Sequence, residues 1–97
     1  MLLLEVLRAR REDIVAAGRC YGARRIRVFG SVARGEESAD SDVDFLVDLP
    51  RGYDLFAQRM PLAERLAEIT GRQVDVVPEH ELSRHIRPYV RAEAVDL

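Results

Sequence analysis

A Gly-Ser pair and two closely spaced aspartates constrain this chain more than any other feature. Gly30 and Ser31 end an apolar run, and Asp42 and Asp44 mark the start of the next one. Side chains alternate along a strand, so Asp42 and Asp44 share one face. The opposite face carries the core positions Val43, Phe45 and Val47. Two carboxylates on one face repel each other unless a cation lies between them. The stretch therefore predicts a strand, turn, short helix, loop and strand with a cation site.

The Gly-Ser turn has the composition of a phosphate site. A helix that opens directly after a strand presents unpaired backbone N–H groups. Gly30 permits a sharp turn and a close backbone approach, and the Ser31 hydroxyl can donate a hydrogen bond to a terminal phosphate. Arg34 lies one turn along and can reach a phosphate or hold the following loop, which Gly35 allows to reverse. A Gly-Ser pair alone would be more typical of an ordinary helix cap.

The acidic residues are candidate ligands for Mg²⁺, which prefers carboxylate oxygens together with substrate phosphates. Asp42 and Asp44 are the first two, and Ser41 is placed to cap or buttress Asp42. Asp75 lies among valines on a later strand and can complete a three-carboxylate cluster. A third carboxylate can take a proton from an attacking hydroxyl or help to hold a second metal. The alternative is a set of acidic residues on solvated strand faces, which we expect for Asp48.

The chain as a whole predicts one small α+β domain over residues 1–97. The expected fold is a three- to four-stranded mixed sheet flanked by helices, with short connections. The predicted elements are a helix over 2–18, a strand over 24–29, a strand through the Asp-x-Asp segment, a helix from Asp54 to Thr70 that kinks or restarts at Pro61, a strand over 73–77 and a final helix over 85–94.

Composition excludes several classes of protein. The net charge of −2 gives no footprint for direct nucleic-acid binding, and no stretch is apolar enough to cross a membrane. All 15 basic residues are arginine, so phosphate contacts must use arginine, hydroxyls and backbone N–H groups. The lone Cys20 cannot form an internal disulfide, and His80 and His85 lack the partners of a zinc site. We therefore expect a cytoplasmic protein.

Resemblance to a known superfamily rests on the stretch GSVARGEESADSDVDFLVD. Its pattern of Gly-Ser, ten residues and Asp-x-Asp resembles the signature of the nucleotidyltransferases that include DNA polymerase β. Together with the later GRQVDVV, it is similar to the minimal nucleotidyltransferases. The resemblance implies a polymerase β palm-like fold and ATP as substrate. It also implies two Mg²⁺ ions on the catalytic Asp42, Asp44 and Asp75, with the nucleotide held by Gly30, Ser31, Arg34, Gly35 and Ser41.

The same resemblance implies a partner, because minimal nucleotidyltransferases commonly pair with a small helical toxin of the HEPN class. The implied activity is transfer of AMP to a tyrosine of that ribonuclease, in a type VII-like toxin–antitoxin pair. A hetero-oligomer is expected, with a homodimer as an open alternative. Two rival functions also remain open. One is a non-catalytic antitoxin that covers its partner, and the other is a small-molecule nucleotidyltransferase, for an antibiotic hydroxyl, that works with a separate helical subunit.

Overall fold

The computed structural model describes residues 2–97, so Met1 of the predicted domain 1–97 lies outside it. Two short connecting turns accompany nine helices and strands in this part of the chain, a π-helical turn over Leu55–Arg59 and a 3₁₀ turn over Glu79–Glu81. The nine are α1 (Leu3–Ala9), α2 (Arg11–Cys20), β1 (Ile26–Phe29), α3 (Ser31–Arg34), β2 (Val43–Val47), α4 (Met60–Thr70), β3 (Val74–Pro78), α5 (Arg87–Glu93) and β4 (Val95–Asp96).

The four strands form one mixed sheet in the order β3-β2-β1-β4. β1 runs antiparallel to both β2 and β4, whereas β2 and β3 are parallel. This confirms the predicted mixed sheet with its flanking helices. The individual strand β4 was not predicted, because only its two residues pair with β1 and so short a segment has no readable alternation.

The core lies where α2 and α4 pack on one face of the sheet. Val43, Phe45 and Val47 of β2 are fully or almost fully buried there, as their alternation predicts. The opposite face is not simply solvated. Leu46 lies on it and is 1% exposed, and its neighbour on β1, Arg27, pairs with Glu79 at 3.2 Å. The face of the sheet that carries Asp44 is therefore partly covered by other residues.

The prediction of one helix over 2–18 is wrong, because the helix breaks at Arg10. The backbone of Arg10 leaves the helical region, with φ −105° and ψ 17°. Its guanidinium donates to the carbonyl oxygen of Ile69 at 3.3 Å, near the end of α4, and to Asp13 at 3.1 Å. The break lets α1 lie against α3 while α2 packs on α4. Nothing in the local sequence marks it, since residues 3–17 include neither Pro nor Gly.

The segment after β2 follows its sequence signals closely. The Asp54 carboxylate accepts hydrogen bonds from the backbone N–H groups of Phe56 and Ala57, both at 2.9 Å. Pro61 lies in the first turn of α4, so the helix restarts there, where a missing N–H costs nothing. Gly71 ends α4 in the left-handed conformation, with φ 69°. In residues 2–97, no helix is long and apolar enough to cross a membrane.

The position of α4 depends on a few completely buried side chains, of which Leu66 is one. Leu66→Ala should lower the free energy of unfolding by about 2–5 kcal/mol, because it removes buried methyl groups and leaves a cavity. The exposed neighbour Glu64 provides the control, and Glu64→Ala should change stability by less than about 0.5 kcal/mol. Urea unfolding followed by circular dichroism measures both, and equal effects would contradict this packing.

Candidate active site

Strand register brings two of the predicted acids together. Asp44 on β2 lies directly beside Asp75 on the parallel strand β3, and beside Phe29 at the end of β1. Neighbouring strands are about 4.8 Å apart, so the two carboxylates share one small region. Asp42 lies one residue before β2 and is exposed, as is Asp75, whereas Asp44 is half-buried. The predicted convergence of Asp44 and Asp75 is therefore present in the pairing.

Gly30 is the point at which the turn meets the acids. It has a positive φ of 76°, which a residue with a side chain rarely adopts. A Cβ built at Gly30 would lie 2.3 Å from Oδ2 of Asp44. Any side chain here would push the Asp44 carboxylate away, so the glycine keeps the turn and the acid in close contact. The predicted sharp turn is confirmed, and its close approach is to a carboxylate of the same chain.

Ser31 begins the four-residue helix α3 directly after this turn. Gly30 is the residue before this end of α3, and it has no side chain that could cap the helix. Gly35 ends the same helix in the left-handed conformation, with φ 73°. The predicted reversal of the chain at Gly35 is therefore confirmed. The backbone thus leaves β1, makes a single turn beside Asp44 and reverses into the loop that leads to Asp42.

The electrostatic environment of Asp44 is unfavourable for its charge. Burial is the main cause that raises the pKa of the Asp44 carboxyl above its ordinary value, followed by repulsion from Asp75, Asp42 and Glu93. Arg34 acts in the opposite direction and lowers that pKa. In the absence of a cation, the negative charge of Asp44 therefore makes the folded state less stable.

A fourth acid, Glu93 at the end of α5, also reaches the turn. Its Oε2 accepts a hydrogen bond from the backbone N–H of Gly30 at 3.0 Å, and its Oε1 forms an ion pair with Nη1 of Arg34. Arg34 also donates to Glu36 in the following loop at 3.0 Å, so it holds that loop as predicted. Glu93 was not predicted as a site residue, since no motif surrounds it and its partners are about sixty residues away.

The loop before Asp42 is held by Arg72, a residue of the segment GRQVDVV for which no role was predicted. The Arg72 guanidinium donates to the carbonyl oxygens of Ser38, Ala39 and Ser41 at 3.0, 3.2 and 3.3 Å. The Ser41 hydroxyl accepts a hydrogen bond from the Ser38 N–H at 2.9 Å. Ser41 therefore organises the loop that delivers Asp42, and its contact with a nucleotide stays a prediction.

The carboxylate oxygens of the site suit a hard divalent cation, although three of these side chains do not converge on a single ion position. Among residues 2–97, no group of three or more His, Cys, Asp or Glu side chains is arranged to hold a metal ion. Mg²⁺, however, is commonly bound by one or two carboxylates together with substrate phosphates. The repulsion that Asp75 and Asp42 exert on Asp44 is what such a cation would relieve. The residues present thus fit a cation that arrives with a phosphate ligand.

Comparison with known proteins agrees with this geometry. Residues 7–96 match the family model described as "Nucleotidyltransferase domain". This chain belongs to the nucleotidyltransferase family. It is 41% identical over 75 residues to "Protein adenylyltransferase MntA" of Thermococcus cleftensis, covering 77% of this chain and 75% of that protein.

Two solved structures share the fold. One is described as "Structure of putative minimal nucleotidyltransferase"; it matches with a TM-score of 0.86 and 44% identity, over 100% of this chain and 97% of that one. The other is described as "Crystal structure of the toxin-antitoxin with AMP-PNP" and has a TM-score of 0.74 and 26% identity, over 89% of this chain and 70% of that one. The minimal nucleotidyltransferase fold expected from the sequence is therefore confirmed.

Removal of the Asp44 carboxylate tests whether its negative charge destabilises the folded protein. Its raised pKa means that the folded protein binds a proton more readily than the unfolded chain, so the ionised form lowers stability above that pKa. Asp44→Asn should therefore raise the melting temperature at neutral pH in EDTA. Mg²⁺ with an ATP analogue should stabilise the wild type, since a ligand of the native state shifts unfolding, and should stabilise this variant much less.

Asp48→Asn is the matched control, because Asp48 lies just beyond the far end of the same strand and pairs with the exposed Arg24 at 3.5 Å. It should keep the full stabilisation by Mg²⁺ and nucleotide. Differential scanning fluorimetry measures all three proteins. An Asp44→Asn variant that melts below the wild type in EDTA and keeps the whole ligand shift would contradict both the repulsion and the cation site.

Proposed function

We propose that this nucleotidyltransferase is a Mg²⁺-dependent protein adenylyltransferase that acts as an antitoxin. It transfers AMP from ATP to a tyrosine hydroxyl of a HEPN ribonuclease toxin in the cytoplasm and forms a hetero-oligomer with it. The observation that carries the proposal is the register of β2. It sets Asp44 against the Gly30 turn on one side and against Asp75 on the other. The Gly30 turn and the two acids thus meet at one end of the sheet.

The turn supplies the nucleotide contacts in this proposal. Gly30 and Ser31 offer backbone N–H groups and a hydroxyl to the β- and γ-phosphates, and Arg34 supplies the positive charge. Arg34 is about half-exposed, and its guanidinium pairs with Glu36 and Glu93. Gly35 and Ser41 act through the shape of the loop, which is set by the left-handed turn at Gly35 and the Ser41 hydroxyl.

Asp42, Asp44 and Asp75 are the residues that would hold the two Mg²⁺ ions implied by the family. When bound, such ions neutralise phosphate charge and stabilise the attacking and leaving oxygens. The fit rests on the carboxylate donor set and on the repulsion that raises the pKa of Asp44. Arg72 contributes indirectly, since it fixes the loop that leads to Asp42.

The reaction is a displacement at the α-phosphorus of ATP. The tyrosine oxygen forms a bond to the α-phosphorus, the bond from that phosphorus to the bridging oxygen breaks, and pyrophosphate leaves. In this proposal the proton of the tyrosine hydroxyl passes to Asp75, whose side chain is exposed. Such a reaction depends mainly on positioning and on neutralisation of phosphate charge. The turn would position the nucleotide, and Arg34 together with the cations held by the acids would supply the neutralising charge.

Support for the partner and the nucleotide comes from the relatives. One neighbour in structure is described as a toxin–antitoxin complex with AMP-PNP, and the Thermococcus relative is named as a protein adenylyltransferase. The HEPN class of the partner, the tyrosine acceptor and the adenine base belong to the proposal, and they follow from the resemblance to minimal nucleotidyltransferases. The charge balance of the chain agrees with a protein partner in preference to nucleic acid.

Asp75→Asn separates catalysis from simple covering of the partner. Asp75 is exposed, so the variant should fold normally and should still bind its partner, whose interface is expected to span many residues. AMP transfer should fall about 10²–10⁴-fold, as expected when a positioned proton acceptor is lost. Labelled ATP, Mg²⁺ and the purified toxin, followed by mass spectrometry of the modified residue, measure the transfer.

Asp48→Asn is again the control and should transfer AMP at the wild-type rate. In cells that express the toxin, Asp75→Asn should fail to restore growth whereas Asp48→Asn should restore it. Growth rescue by an Asp75→Asn protein that is shown to transfer no AMP would refute an enzymatic antitoxin. That result would favour an antitoxin that neutralises its partner by binding alone.

A further inference from the structure

Glu93 occupies two hydrogen-bond donors that an anion at the turn would use. Its carboxylate accepts from the Gly30 N–H at 3.0 Å and pairs with the Arg34 guanidinium. The Glu93 side chain is 25% exposed, so this carboxylate is partly withdrawn from solvent. A carboxylate held by a backbone N–H and an arginine is bound in the way that proteins bind a phosphate oxygen.

The helix that carries Glu93 is attached mainly by polar contacts. None of the residues of α5 is buried, and its Tyr89 is 77% exposed. Its other attachments include the ion pair between Arg91 and Glu79 and the hydrogen bond from Arg87 to the carbonyl oxygen of Leu82 at 2.6 Å. The pairing of β4 with β1 begins two residues after Glu93, so α5 stays attached to the sheet at that end. The Glu93 carboxylate can nevertheless leave the turn by rotation of its side chain, because none of its partners lies in the core.

We propose that Glu93 is an autoinhibitory anion, which holds the Gly30 N–H and Arg34 in the nucleotide-free protein and must release both before a triphosphate can bind. The proposal rests on the proposed function in taking a nucleoside triphosphate as the ligand. The Gly30 N–H cannot serve two acceptors at full strength. The negative charge of Glu93 would also repel a polyphosphate bound at the Gly30 turn.

The size of the effect follows from the fraction of molecules in which Glu93 has left the turn. The apparent dissociation constant equals the intrinsic constant divided by that fraction. If about one molecule in ten is open, removing the Glu93 charge should tighten polyphosphate binding about tenfold. Since the carboxylate competes directly, the gain should appear in affinity and should not require catalysis.

Glu93→Gln is the decisive variant, because glutamine keeps an acceptor oxygen for the Gly30 N–H but loses the charge. Inorganic tripolyphosphate with Mg²⁺ is the probe, and isothermal titration calorimetry measures its binding. We expect Glu93→Gln to bind about five- to tenfold more tightly than the wild type. Glu36→Gln is the matched control, since Glu36 also pairs with Arg34 but does not contact Gly30. Its affinity should stay within about twofold of the wild type.

Glu93→Asp gives a second test should the glutamine variant fold poorly, which its melting curve would reveal. Aspartate keeps the charge but is one methylene shorter, so it cannot reach both donors equally well, and it should also bind tripolyphosphate more tightly. Unchanged or weaker binding in the folded variants, or no binding to any of the proteins, would overturn the autoinhibition.

AMP transfer to the toxin, measured separately, keeps the two proposals apart. Tighter tripolyphosphate binding without any AMP transfer would preserve the autoinhibition and remove the proposed function. AMP transfer by the wild type together with unchanged tripolyphosphate affinity in Glu93→Gln would do the reverse. Both proposals stand if transfer occurs and the variant binds more tightly.

Discussion

The arrangement of the site depends on the pairing register of β2 between β1 and β3. In this register Phe45 is fully buried in the core, and Asp44 faces the other way between the Gly30 turn and Asp75. A slip by one residue would turn Asp44 into the core and Phe45 out of it, because side chains alternate along a strand. Burial of an unpaired ionised carboxylate costs far more than the roughly 2–7 kcal/mol of a neutral polar group without a hydrogen bond. The hydrophobic core therefore fixes the position of the acid.

Polar contacts hold the segments of the site that do not pack into the hydrophobic core. The loop before Asp42 has no buried side chain of its own between residues 36 and 42, and three carbonyl oxygens in it accept hydrogen bonds from Arg72. Arg34 and Glu93 link α3 to α5 in the same manner. One guanidinium can serve several acceptors because it carries five N–H donors in a fixed plane. A chain whose basic residues are all arginine is well suited to such links.

The parts of this fold that were predictable from sequence are those with local signals. The core face of β2, the glycines at 30 and 35 and the restart of the helix at Pro61 each follow from a rule that acts within a few residues. The break at Arg10 and the contacts of Arg72 and Glu93 do not, because each depends on a partner between 31 and 63 residues away. Long-range polar contacts leave no periodicity in a single sequence, so the contacts of Arg72 and Glu93 were missed, whereas the proximity of Asp44 and Asp75 was predicted.

Charge couples the ligands of the proposed reaction to one another. Four carboxylates, those of Asp42, Asp44, Asp75 and Glu93, affect one region, and Arg34 is the cation that opposes them at Asp44. A triphosphate is itself strongly negative, so its approach raises the cost of every one of these charges. A divalent cation that binds together with the nucleotide lowers the electrostatic free-energy cost of the carboxylates and of the triphosphate. Binding free energies are reciprocal, so nucleotide must strengthen cation binding as much as cation strengthens nucleotide binding. A site with this charge balance is therefore one in which neither ligand binds well alone.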